Sequence, residues 1–64
     1  MRVLVIDQHG ESRTFEEADI VIEHPMMIIV DVAGMHLYPL TNTVFHCAPE
    51  TEKDTDIIAK LVEA

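Results

Sequence analysis

The sequence predicts an α+β fold: a small antiparallel β-sheet or half-barrel, about five strands in a meander, with one C-terminal α-helix. Three observations carry this. Short runs of β-branched and apolar residues recur between turn-prone clusters. The intervals between them suit tight reversals rather than the long crossovers that parallel strands need. Only the last part of the chain changes period, with Ile57, Ile58, Leu61 and Val62 at the i, i+1, i+4, i+5 spacing of one helical face.

Val3-Leu4-Val5-Ile6 is a continuous apolar run ended by Asp7-Gln8-His9-Gly10, and it reads as a first strand covered on both faces. From Glu11 to Asp19 only Phe15 and Ala18 are apolar, so this stretch is an exposed connection or a short edge strand anchored by Phe15. Asp19 to Glu23 is strand-like, because branched side chains fit a pleated surface. His24-Pro25 then ends or bulges it, since proline offers no N–H to a ladder.

Met26 to Val32 is the most apolar segment, and Ala33-Gly34 supplies a reversal after it. Met35 to Leu40 and Thr43 to Cys47 are two further strands, joined through Thr41-Asn42. In that hairpin Tyr38 and Phe45 stand opposite each other as an aromatic packing pair. Thr51 is the helix N-cap, with Glu52, Asp54 and Asp56 at the positive end of the helix dipole. So short a helix is not stable alone in water, and its Ile57/Leu61 stripe must dock.

Residues 1–64 form a single domain, since a chain this short buries only about 60% of the surface its unfolded form exposes. The apolar fraction of 48% is that of a folding chain, not a disordered one. A core this small supplies about 3–5 kcal/mol, so such domains add a disulfide, a metal or a partner. The single cysteine, Cys47, excludes an internal disulfide. Self-association is therefore expected, a homodimer in the simplest case.

Twelve acidic against four basic residues give a net charge of −8, which repels phosphate backbones and anionic membranes. Direct nucleic-acid binding is not expected. No apolar run is long enough to cross a membrane, the start of the chain reads as a strand rather than a secretory leader, and one free thiol suits a reducing compartment. The expected location is cytoplasmic.

From His24 to Cys47 only Asp31 carries a formal charge, whereas a solvated meander normally alternates polar residues outward. Apolar strands in the middle of the chain therefore have two faces to cover, one against the core and one against a second copy. The expected self-association residues are Met26, Met27, Ile29 and Met35, with core filling as the competing role for the methionines.

The carboxylates fall into two groups, Glu11 with Glu16, Glu17, Asp19 and Glu23, then Glu50 with Glu52, Asp54 and Asp56. If they converge, they present a negative surface to a basic protein partner, in the manner of a nucleic-acid mimic or inhibitor. If they do not, they are solvated faces. Neither group has the alternating pattern of a calcium loop.

Chemistry with a nucleophile or a metal is the alternative, through His36, His46 and Cys47. A two-residue turn at Ala33-Gly34 would set Asp31 against His36, and one at Thr41-Asn42 would set His36 against Cys47, giving an Asp-His-Cys row that could activate a thiolate. A three-residue loop with a bulge at Gly34 would instead oppose Asp31 to Met35 and break the row. His46 and Cys47, as neighbours on a strand, point to opposite faces and cannot both reach one tetrahedral zinc unless the strand is bulged. With no Gly-rich loop or nucleophile elbow, no catalytic residue and no cofactor is expected. The charge map points to a non-enzymatic interaction or regulatory factor.

Overall fold

Val3 and Val5 are 0% and 1% exposed because their strand, β1 (Arg2–Ile6), lies in the middle of a sheet. The computed structural model describes residues 1–63, with Glu63 as backbone only. It contains six strands and one helix: β1, β2 (Ser12–Phe15), β3 (Asp19–Glu23), β4 (Met26–Asp31), β5 (Gly34–Pro39), β6 (Val44–Ala48) and α1 (Glu52–Glu63). They make two three-stranded antiparallel sheets, ordered β2-β1-β6 and β3-β4-β5, that do not close into a barrel. The predicted class is observed, with the stretch after Gly10 resolved as an edge strand anchored by the buried Phe15.

Each reversal has a local cause. After β1, the Asp7 carboxylate accepts hydrogen bonds from the His9 and Glu11 amides at 2.9 and 3.0 Å, and Gly10 takes φ 82°, a left-handed value glycine adopts without penalty. Between β3 and β4, Glu23 pairs with Met26 across His24 and a cis Pro25. Between β4 and β5, Asp31 pairs with Gly34, so the turn residues are Val32 and Ala33 rather than Ala33 and Gly34. The Asp31 carboxylate holds that turn by accepting from the Ala33 amide at 2.9 Å.

The strand order departs from the expected meander at one place. The meander is β3-β4-β5, and β6 leaves it to pair with β1, from Arg2 against Ala48 to Ile6 against Val44. The apolar β1 needs a neighbour on each edge, and β6 supplies the second while turning Phe45 and Cys47 toward the core. Asn42 at φ 60° redirects the chain, so Thr41-Asn42 is a link between sheets and not a hairpin turn. Tyr38 and Phe45 still meet, edge to face with centroids 6.3 Å apart, but across the two sheets.

Inner faces of both sheets bury Val3, Val5, Phe15, Ile20, Met27 and Ile29. The helix lies along β3 and turns Ile57, Ile58 and Leu61 to this core, the docking that its length required. Its start is a capping box. The Asp54 amide donates to Thr51 Oγ1 at 3.2 Å, while Asp54 Oδ2 accepts from the Thr51 and Glu50 amides at 3.2 and 3.0 Å.

Candidate interaction surface

Side chains alternate across a strand, so the registers of sheet β3-β4-β5 decide what its outer face shows. With Ile20, Met27 and Ile29 inward, the outward positions form three rows across the strands: Asp19, Val30, Met35; Val21, Ile28, Leu37; and Glu23, Met26, Pro39. Only the β3 column carries charge. Val21, Leu37 and Met35 are 47%, 58% and 63% exposed, and they are contiguous through Ile28 and Val30 rather than scattered. Val32, by contrast, is an isolated exposed residue at a turn tip.

Of the expected self-association residues, Met26 and Met35 lie on this outer face. Met27 and Ile29 do not: both are 0% exposed, packed in the core between the sheets. The correction is one of parity. Every residue from Met26 to Val30 is apolar, so the strand itself gives no indication of which side faces in. A cue was present in its neighbour, where Val21 alternates with Asp19 and Glu23 and must share their outward side; Val21, Ile28 and Leu37 follow from the pairing.

The two acidic groups lie on adjoining elements. Glu16 and Glu17 occupy the corner before β3, Asp19 and Glu23 lie on β3, and α1, packed along β3, carries Glu52 and Asp56 with Glu50 just before it. The Met1 ammonium binds this corner, donating to the Ala18 carbonyl at 2.7 Å. Asp54 leaves the expected acidic surface: it is 8% exposed and its carboxylate caps the helix. Those amide hydrogen bonds, first of all the one from Glu50, hold its pKa below the ordinary value, and the Met1 ammonium adds to the effect. Among the described residues no lysine or arginine forms a salt bridge with a carboxylate, and the exposed carboxylates face solvent.

The Asp31-His36 contact forms in a register that neither sequence alternative contained. Asp31 opposes Gly34, and His36 reaches it diagonally, Nε2 donating to Oδ1 at 3.1 Å. This hydrogen bond is the main reason the Asp31 pKa is lowered. The imidazole also lies against Phe15, with centroids 4.7 Å apart, closing one end of the core.

Cys47 does not continue the row. It opposes Val3 in the other sheet, and burial raises its thiol pKa, the reverse of what an activated thiolate requires. His46 points to the outer face of that sheet, lining with Arg2, Leu4, Thr14 and Ala48 a groove of about 310 Å³. A second groove of about 340 Å³ lies among His24, Pro25, Leu40, Thr41, Phe45 and Leu61. Among the described residues no three His, Cys, Asp or Glu side chains gather as a metal would need, so His36, His46 and Cys47 do not form one site. No helix among the described residues is long and apolar enough to cross a membrane.

No family model, no curated protein and no solved structure matches this chain.

Proposed function

We propose that this protein is a non-enzymatic protein-interaction or regulatory factor, which self-associates through the outer face of sheet β3-β4-β5 and uses its acidic edge to bind a basic protein. The observation that supports this reading is the open apolar face, Val21, Ile28, Val30, Met35 and Leu37, bordered on one side by the Asp19 and Glu23 carboxylates, which make no salt bridge among the described residues. Fully covering one large apolar side chain stabilises by about 1.5–3 kcal/mol, against a total near 3–5 kcal/mol for a core of this size. Even partial covering of these residues is comparable with the stability of the domain.

The acidic edge acts at longer range. Glu16, Glu17, Asp19, Glu23, Glu52 and Asp56 on β3, its preceding corner and α1 outnumber the Met1 ammonium, Lys53 and Lys60 on the same elements and give a net negative field, which speeds encounter with a basic surface and weakens as salt rises. A partner groove shaped for phosphates fits this pattern, and in that case the protein acts as a nucleic-acid mimic or inhibitor. We place its action in the cytoplasm, where the free Cys47 stays reduced.

Affinity capture at two salt concentrations tests the partner half of the reading. The tagged wild-type chain is expected to retain a basic protein at low salt and to release it at high salt. The variant combining Asp19→Asn, Glu23→Gln, Glu52→Gln and Asp56→Asn is expected to lose it. Identical captured proteins for wild type and variant would count against a role for the acidic edge.

A further inference from the structure

The strands of sheet β2-β1-β6 differ in composition from the rest of the chain. They carry none of its twelve carboxylates and both of its arginines, Arg2 and Arg13, although the net charge is −8. Val3 and Val5 on β1, Phe15 on β2, and Phe45 and Cys47 on β6 turn to the core, so alternation sends Arg2, Leu4, Thr14, His46 and Ala48 outward. The registers place Thr14, Leu4 and His46 in one row across the sheet, with Arg2 and Ala48 in the row beside it. These residues line the groove of about 310 Å³.

Leu4, half-buried at the centre of its row, and Ala48 give the groove an apolar floor. Hydrogen-bond donors stand around it: the Arg2 guanidinium, the Thr14 hydroxyl and a ring N–H of His46. No carboxylate lines the groove, and among the described residues Arg2 makes no salt bridge. Its planar fork, which matches a carboxylate with two parallel N–H groups, is therefore open to an anion from outside. Arg13 has a different place, over the Phe15 ring at 4.9 Å from its centroid.

Charge and floor together select the anion. A nucleic acid or a polyphosphate brings many negative charges into the field of a chain of charge −8, whereas a single carboxylate is opposed least. A bare hydrated ion makes no use of Leu4 and Ala48, and a ligand with an apolar body does. We infer that this groove binds a small organic monocarboxylate, its charged group on Arg2 and Thr14 with His46 beside it, and its apolar body over Leu4 and Ala48. The site is separate from the acidic edge and from the outer face of β3-β4-β5, and it depends on neither self-association nor a basic partner.

Benzoate, with neutral benzamide as its uncharged counterpart, tests the assignment by amide chemical shifts of the labelled chain at constant ionic strength. The groove is open to water, so a dissociation constant of about 1–10 mM is expected for benzoate, with shifts centred on Leu4, Thr14, His46 and Ala48. Benzamide should bind about three- to fivefold more weakly, and Arg2→Gln should weaken benzoate by about the same factor. Lys60→Gln, which removes the same charge from α1, should leave benzoate binding unchanged. Equal weakening by both variants means that overall charge governs binding and overturns the site. So do shifts centred on Lys53 and Lys60, or benzamide binding as tightly as benzoate. Inorganic phosphate binding more tightly than benzoate at the same amides overturns the choice of an organic carboxylate. The comparison of benzoate with benzamide uses the wild-type chain alone, and so decides the role of charge whatever Arg2→Gln does to the fold.

Discussion

His36 donates to the Asp31 carboxylate at 3.1 Å although the two residues are not cross-strand partners: Asp31 opposes Gly34, and His36 stands two positions further along β5 on the same face. The same carboxylate accepts the Ala33 amide, so one side chain both closes the β4-β5 turn and orients the ring that lies against Phe15.

Asp31 is therefore expected to titrate below an ordinary aspartate. A lowered folded-state pKa contributes stability that is present above the unfolded value, near 3.8, and is lost as pH falls through the folded value. His36→Ala removes the largest cause of the shift and should move the Asp31 titration upward, as read by NMR of its carboxyl carbon. An unchanged titration would show that the turn amides alone set it.

The capping box makes a parallel claim at the helix. Thr51→Ala should cost about 1 kcal/mol, a fall in Tm of about 4–8 °C for a domain of this size. Asp54→Asn should flatten the loss of stability below pH 4 relative to wild type, because Asp54 too has a lowered pKa. Equal acid sensitivity of wild type and Asp54→Asn in thermal melts would contradict the role given to this carboxylate.

Met27 and Ile29 are core residues and Met35 is a surface one, so truncation separates them. Ile29→Ala should cost about 2–5 kcal/mol, enough to unfold much of the population. Met35→Ala in dilute solution should change stability by about 0.5 kcal/mol or less. Circular dichroism at low micromolar concentration reads both, and the reverse order would mean that β4 and β5 present the opposite faces.

Cys47 is expected to alkylate more slowly than a free small-molecule thiol at neutral pH, since burial raises its pKa and leaves less thiolate to react. Reaction faster than the free thiol would restore the thiol-site reading.

Much of the fold was legible in the sequence because its signals are local. Thr51 with Asp54, the Asp7-to-Gly10 turn and the helical spacing of Ile57 and Leu61 each act within a few residues. What was not legible depends on partners distant in the chain. Nothing near Val44 indicates that β6 will pair with β1, and the uniformly apolar β4 hides its own inward side until β3, with its alternating carboxylates, is placed beside it. The candidate surface was legible by region and not by residue: the uncharged centre supplies the exposed apolar residues Met35 and Leu37, whereas Met27 and Ile29 lie in the core and the Asp54 carboxylate caps the helix.

The most direct measurement is the mass of the wild-type chain by light scattering across concentration at two salt levels. The account predicts a dimer of twice the 7.2 kDa chain that persists as salt rises, because an apolar face joins the copies and screening only weakens the repulsion between two chains of charge −8. A 7.2 kDa monomer at every concentration and both salt levels would contradict it.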